Sequence, residues 1–185
     1  MINLLRTRRS IRKYAPIAID NKIINVLIEA LLRSPTSRNG KSWEFIIVDD
    51  RDLLSKLSKT REQGSHHLTD AALGIVVCAD STKSDVWVED CSIAAILVQV
   101  TAHDLGLGSC WIQIRNRNHT GMISAEQYIQ SLLGLPQHIN VECIVSIGYP
   151  NETKRLISEN ELEYHKIKYN HYAINYIQKG NREND

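Results

Sequence analysis

The sequence predicts a single α+β domain in which helices and strands follow one another irregularly. The chain has 185 residues, of which 43% are hydrophobic and 23% charged. This balance is typical of a globular domain rather than a disordered or fibrous segment. The sequence contains no internal repeat, low-complexity tract or Pro/Gly/Ser-rich linker, so nothing in it divides the domain. Some apolar residues recur at helical spacing, whereas others form short β-branched runs.

The first half of the chain predicts two helices and two strands. Asp20 is the expected N-cap of a helix that ends near Arg33, because isoleucines and leucines recur at helical spacing until Pro35. Residues 44–48 predict a strand, followed by a short helix with Leu53, Leu54 and Leu57 inside. Residues 73–79 are apolar and rich in β-branched side chains. They predict a central strand covered on both faces.

The second half predicts a long buried helix from about Trp87 to Leu105, ended by Gly106. Residues 109–114 predict an extended segment, and residues 141–147 predict the last strand. Between these two strands, Ser124 and Gln127 form a predicted capping box for a helix that ends near Gly134.

Beyond Pro150 the chain becomes polar. Ser158 and Glu161 predict a capping box for a final helix or tail that carries four tyrosines. Because its apolar content is thin for a core element, we expect this tail to pack on the domain surface or on a second subunit. The sequence is therefore divided into a domain of residues 1–150 and a C-terminal extension of residues 151–185.

Composition excludes several classes of protein. The formal net charge of +1 gives no global basic field for nucleic-acid binding. The longest nearly apolar run, residues 71–79, is far shorter than the roughly 20 residues that cross a bilayer. The N-terminus is basic where a secretory signal would be apolar, so we expect a cytoplasmic protein without a membrane partner. The four cysteines are widely spaced and predict reduced thiols, with no metal site.

A cationic segment near the N-terminus predicts phosphate binding. Arg8, Arg9, Ser10 and Arg12 concentrate guanidinium groups and a hydroxyl within five positions. Guanidinium groups match phosphate oxygens with two parallel hydrogen bonds. The competing interpretation of this segment alone is a solvated basic end.

Two further segments suggest contacts with a flat ligand. The loop around residues 35–40 offers hydroxyl and amide groups, although alone it fits a capped turn. The segment that begins Gly106-Leu107-Gly108 resembles a dinucleotide fingerprint, but it lacks the third glycine and follows a helix rather than a strand. A Rossmann fold is therefore excluded. The segment instead predicts the end of a helix, followed by an extended backbone that a flat ligand could approach closely.

Together these segments resemble the nitroreductase family of FMN-dependent oxidoreductases. The resemblance is carried by RRSIRKY at 8–14, SPTSRNGKSWEFIIV at 34–48, GLGSCWIQ at 106–113 and VSIGYP at 145–150. It implies a nitroreductase-like α+β fold with a central, mainly antiparallel sheet. It also implies an intertwined homodimer that binds FMN in two clefts at the subunit interface.

The resemblance assigns FMN-binding roles by position. It places Arg8, Arg9, Ser10 and Arg12 at the phosphate and ribityl chain. From the partner chain it brings four loop residues to the same flavin: Pro35, Thr36, Ser37 and Asn39. It lays Trp111, Ile112 and Gln113 along the isoalloxazine ring, with the N–H near Gln113 as donor to flavin N5. A further phosphate contact comes from Lys154 or Arg155.

The resemblance implies ping-pong chemistry, in which NADH or NADPH reduces FMN and a nitroaromatic, quinone or other small acceptor reoxidises it. No side chain is then required as a catalytic acid or base, and His66 and His67 are interpreted as a loop pair. The alternatives are a non-catalytic FMN-binding module and other reduced-flavin chemistry, such as dehalogenation or flavin conversion. One departure is Lys41-Ser42 where the family usually has Gln-Pro.

Overall fold

A four-stranded antiparallel sheet organises the fold. The structure is a computed structural model that describes residues 1–176. The sheet has the order β1-β2-β6-β3, and its strands are Trp43–Val48 (β1), Leu73–Asp80 (β2), Gly108–Gln113 (β3) and Ile139–Gly148 (β6). All three strand pairs are antiparallel. The predicted α+β class and antiparallel sheet are confirmed.

Helices cover both faces of the sheet. The helices are Ile2–Thr7 (α1), Asn21–Leu32 (α2), Arg51–Leu57 (α3), Trp87–Asp104 (α4) and Ala125–Leu133 (α5). Alternate residues of β2 join two separate apolar clusters, one with α2 and α4 and the other with α3 and α5. All eight residues of β2 are therefore buried.

The predicted helix boundaries follow from local chemistry. The Asp20 side chain accepts a hydrogen bond from the N–H of Lys22 and caps α2. Ser124 and Gln127 form both bonds of the capping box that begins α5. Gly134 ends α5 with φ 68°, a left-handed conformation that glycine adopts without steric cost.

Two small elements within residues 1–154 were not predicted from the sequence. Helix α1 precedes the cationic segment, and a short hairpin, Asn118–Thr120 (β4) with Ile123–Ser124 (β5), lies between β3 and α5. Neither has a long apolar period, which is the feature that made the other elements predictable. None of the helices within residues 1–176 is long and apolar enough to cross a membrane.

The described part of the chain separates into two compact units, residues 1–154 and residues 155–176. In the second unit, the capping box of Ser158 and Glu161 begins only a single 3₁₀ turn, Glu159–Glu161. A hairpin of Lys168–Tyr169 (β7) and His171–Asn175 (β8) follows. Of the two predicted forms, a final helix or a tail, the described residues 155–176 do not show the helix, and β6 is not the last strand.

Candidate functional site

The cationic segment lies against the open edge of β3. The sheet ends at β3, because this strand pairs with β6 on one side only. The N–H of Ile11 donates to the carbonyl of Ser109 at 3.0 Å, and Ser10 forms a parallel bridge with Ser109. Further along, the N–H of Ala15 donates to the carbonyl of Tyr149 at 2.8 Å. The main chain thus holds residues 10–15 on the sheet.

Two glycines make this close approach possible. Gly108 and Gly148 are direct partners in the β3-β6 register. A Cβ atom on Gly108 would lie 2.7 Å from the Cβ of Ile11, and one on Gly148 would lie 2.8 Å from Cδ1 of Tyr14. Both distances are shorter than any normal carbon contact. The glycine pair therefore forms the groove in which the cationic segment packs.

Tyr14 is the buried anchor of the segment. Its hydroxyl donates to the carbonyl of Ile11 at 2.6 Å and lies 2.7 Å from Oγ of Ser146. Burial raises the pKa of Tyr14 above its ordinary value, so the hydroxyl stays protonated as a donor. Tyr14 therefore closes the turn that presents Arg12 and its neighbours.

Three of the four predicted phosphate-binding side chains lie near one residue of the sheet. Arg8, Ser10 and Arg12 are all close enough to Cys110 of β3 to influence its thiol. Burial raises the pKa of this thiol, while Arg12, Ser10 and Arg8 act in the opposite direction. The nearby carboxylate of Glu152 accepts from the N–H groups of Arg12 at 2.6 Å and Lys13 at 3.2 Å.

Glu152 also binds Lys154. The Nζ atom of Lys154 lies 2.6 Å from Oε2 of Glu152. The hydrogen bond from Lys154, with those from the backbone of Arg12 and Lys13, lowers the pKa of Glu152. Lys154 thus already has a carboxylate partner, and its assignment to a phosphate remains a prediction.

His67 lies near enough to Arg12 for the two charges to interact, whereas the sequence indicated only a loop pair with His66. Burial, followed by the charges of Arg12 and His66, lowers the pKa of His67 to about 4. Its Nε2 atom is buried without a hydrogen-bond partner within residues 1–176. A buried polar atom of this kind is costly unless a water molecule or a ligand pairs with it. Its position beside Arg12 fits a polar ligand held by the cationic segment.

The open edge of β3 continues from the cationic segment toward Gln113. In an antiparallel strand, successive residues turn their backbone groups to opposite sides. Since Ser109 faces Ile11, the N–H groups of Trp111 and Gln113 also point away from β6. From Ser109 to Gln113 this edge extends about 13 Å at roughly 3.3 Å per residue.

The side chains of β3 serve different purposes. The indole N–H of Trp111 donates to Oε1 of Gln113 at 3.0 Å, and Nε2 of Gln113 donates to the carbonyl of Arg115 at 3.1 Å. These bonds fix both side chains, so a ligand at the edge would meet backbone N–H groups. Ile112 is 1% exposed and turns its backbone toward β6. The structure therefore places Ile112 in the core and not at the ligand edge.

The loop of residues 34–41 is held at the beginning of α4. The N–H of Ser37 donates to Oδ1 of the buried Asp90 at 2.9 Å, and Oγ1 of Thr36 accepts from the N–H of Lys41 at 3.1 Å. Arg38, Asn39 and Lys41 have φ values of 50°, 55° and 46°. Left-handed conformations of this kind are strained for Arg and Lys and concentrate at functional sites.

One chain does not bring this loop to the cationic segment. Thr7 Oγ1 lies 2.8 Å from Nε2 of His103, near the end of α4, whereas Ser37 contacts Asp90 near its beginning. A helix rises 1.5 Å per residue, so these two contacts are about 20 Å apart along α4. The two predicted halves of the site thus lie at opposite ends of this helix.

Arg155 lies in the second compact unit. Its guanidinium forms two 2.7 Å hydrogen bonds with the carboxylate of Glu161. The assignment of Arg155 to a phosphate remains a prediction, and a guanidinium occupied in this way would have to exchange partners.

Comparison with known proteins identifies the family. The Nitroreductase family model matches residues 5–73 and 59–149. The chain belongs to the nitroreductase family. A nitroreductase-family assignment also agrees with a protein of Archaeoglobus fulgidus, which bears the provisional name NADH dehydrogenase/NAD(P)H nitroreductase. It is 36% identical over 157 residues, covering 83% of this chain and 87% of the relative.

A solved nitroreductase has the same fold. The structure of an FMN-dependent nitroreductase from Clostridium difficile R20291 is 45% identical and has a TM-score of 0.91. The match covers 93% of this chain and 100% of that chain. The predicted family and nitroreductase fold are confirmed.

Proposed function

We propose that this nitroreductase-family protein is an FMN-dependent oxidoreductase that takes electrons from NADH or NADPH. The observation that carries the proposal is the cationic segment joined to the open edge of β3, from which main-chain N–H groups lead to Gln113. A phosphate at one end and a flat heteroaromatic ring along the strand match the two ends of FMN. The relatives named as NAD(P)H nitroreductase and FMN-dependent nitroreductase support this choice.

Arg8, Arg9, Ser10 and Arg12 would hold the phosphate. Arg8, Ser10 and Arg12 all lie close enough to Cys110 to influence its thiol, and hydrogen bonds from charged donors to phosphate are stronger than those between neutral groups. His67 would pair its buried Nε2 atom with a polar atom of the same ligand. As a neutral imidazole it can accept a hydrogen bond or donate one, depending on its tautomer.

The residues of β3 would orient the ring. The N–H of Gln113 points from the open edge and would donate to flavin N5, while the side chains of Trp111 and Gln113 fix each other. The bound FMN would supply the chemistry, namely hydride transfer from the nicotinamide and two-electron reduction of a nitroaromatic, quinone or other small acceptor. The protein's part in a ping-pong cycle is binding, orientation and control of access.

We expect each site to use two chains. Pro35, Thr36, Ser37 and Asn39 would come from the partner, because in one chain their loop lies about 20 Å along α4 from the cationic segment. Large apolar side chains on unit 1 are exposed in a single chain, as interfaces require: Ile2 59%, Leu5 52%, Val26 42%, Leu32 56%, Ile93 38% and Ile96 43%. A homodimer in the cytoplasm is the proposed functional form.

Steady-state oxidation of NADH and NADPH tests the activity, with menadione or a nitrofuran as acceptor. The proposal predicts turnover with at least one pair and parallel double-reciprocal lines, which are typical of ping-pong kinetics. Bound FMN without turnover would favour a non-catalytic FMN-binding module instead. Turnover with free flavin or a halogenated aromatic, but with neither acceptor, would favour flavin conversion or dehalogenation.

A further inference from the structure

A polar cavity lies beyond Gln113, outside the residues assigned to FMN. It has a volume of about 330 Å³ and is formed by the loop after α3 and the β4-β5 hairpin. Its charged lining consists of Arg61, Arg117 and the single carboxylate of Glu62. His119, Gln63, Asn118 and Thr120 add further polar side chains. The chemistry of this lining is that of an anion site.

Arg61 joins the cavity to the redox end of the proposed flavin site. Its Nη1 atom donates to the carbonyl of Gln113 at 3.3 Å. The N–H of the same residue is the proposed donor to flavin N5. The cavity therefore adjoins the residue that would hold this end of the flavin.

The two arginines lie close enough to repel each other. Burial, and then the charge of Arg117, lower the pKa of Arg61 below its ordinary value. With one carboxylate for two guanidinium groups, the cavity keeps an excess of positive charge. An anion placed between the guanidinium groups would relieve this repulsion and accept several hydrogen bonds.

Backbone hydrogen bonds on either side of the hairpin hold Arg117 in place. Its N–H donates to the carbonyl of Ile114 at 3.0 Å, and its carbonyl accepts from Ala125 at 2.9 Å. The Nδ1 atom of His119 lies 3.0 Å from the carbonyl of Thr60, and its ring stacks on Tyr128 at 4.1 Å. Because a carbonyl only accepts, Nδ1 carries the proton in this bond. The His119 bond thus connects the two walls of the cavity, the loop after α3 and the β4-β5 hairpin.

We propose that this cavity binds a phosphate group of the reduced nicotinamide dinucleotide while its nicotinamide reacts at the flavin. The inference rests on the proposed function, since it concerns the electron donor of that reaction. The phosphate could be the pyrophosphate, which NADH and NADPH share, or the 2′-phosphate, which only NADPH has. The charge and hydrogen-bonding chemistry is the same for both.

Arg117→Ala tests the inference, because this exposed side chain has no assigned role in FMN binding. Lys59→Ala removes a nearby cation that does not line the cavity and is the matched control. In calorimetric titrations of the FMN-loaded protein, we expect Arg117→Ala to raise the Kd of a phosphate-bearing probe at least tenfold. The probes are ADP-ribose, which carries the pyrophosphate, and 2′,5′-ADP, which carries the 2′-phosphate but no pyrophosphate. Lys59→Ala should change neither Kd by more than about twofold.

Kinetics distinguish the two sources of the phosphate. A rise in KM for NADPH alone identifies the 2′-phosphate, whereas equal rises for NADH and NADPH identify the pyrophosphate, with kcat unchanged in both cases. Unchanged Kd values for both probes in Arg117→Ala would overturn the inference, as would failure of both probes to bind the wild-type protein. A protein that binds FMN and a probe but never oxidises NAD(P)H would contradict the proposed function and leave the anion site standing.

Discussion

The N–H of Ile11 and the carbonyl of Ser109 form a 3.0 Å hydrogen bond that joins the cationic segment to β3, the edge strand of the sheet. This bond fixes the position of the cationic segment along β3, and therefore which residues can contact the same ligand. Arg8, Ser10 and Arg12 are placed at one end of the β3 edge, and the N–H of Gln113 lies about 13 Å further along it.

Loss of the arginines should release the flavin. Arg8→Ala combined with Arg12→Ala removes two charge-assisted phosphate contacts, each worth about 1.5–3 kcal/mol. We expect the Kd of FMN to rise at least a hundredfold when apoprotein is titrated by flavin fluorescence. Lys22→Ala with Lys56→Ala removes two exposed cations elsewhere and should retain wild-type affinity. Normal affinity in the Arg8 and Arg12 variant would refute the assigned phosphate site.

Filling the glycine groove should displace the cationic segment. In Gly148→Ala the new Cβ would lie 2.8 Å from Cδ1 of Tyr14, and overpacking of this kind costs about 1–3 kcal/mol. We expect lower stability in urea together with weaker FMN binding. Gly134→Ala provides a stability-matched control, since φ 68° strains an alanine by about 1 kcal/mol away from the site. Equal loss of FMN affinity in both variants would show that instability alone is responsible.

His67 should make stability depend on mildly acidic pH. Its pKa is about 4 in the folded protein against an ordinary value of 6.5. Between these values the unfolded chain binds more protons, so the free energy of unfolding falls as pH drops from 6.5 to 4. Urea unfolding at pH 7 and pH 5 should show a smaller loss for His67→Gln than for wild type. His138→Gln, at an exposed position, should behave as wild type; identical losses in all three proteins would exclude this role for His67.

Subunit complementation tests whether two chains share each site. One chain would carry Arg8→Ala with Arg12→Ala, and the other Thr36→Ala with Asn39→Ala. If each site takes its cationic segment from one chain and its loop from the other, a mixed dimer has one site without substitutions and one site with both sets. FMN should then bind at about half the wild-type stoichiometry. If each site were built from a single chain, the mixed dimer would bind FMN as weakly as the two parent dimers. The mixed dimer can be purified by co-expressing the two chains with different affinity tags.

The parts of the fold that the sequence predicted have strong local signals. Asp20, the Ser124–Gln127 capping box and Gly134 specify helix ends through hydrogen bonds within a few residues. The β-branched run of β2 signals a strand buried on both faces. The same reasoning failed in the tail, where the capping box of Ser158 begins only one turn because no apolar period extends it.

Candidate site residues could be predicted where they are close together in the sequence. Residues that only the fold brings to the site could not be predicted. Arg8, Ser10 and Arg12 are near neighbours in the chain. His67 lies 55 positions from Arg12, and only the fold places it there and buries its Nε2 atom. Ile112 was assigned along with Trp111 and Gln113, but strand alternation turns it into the core.

The most direct test of the account is the flavin content and mass of the purified protein. We predict a yellow protein that releases FMN on denaturation, with one FMN per chain. It should elute as a dimer of about 42 kDa, twice the 21.0 kDa of one chain. A colourless monomer that takes up no added FMN would contradict the central claim.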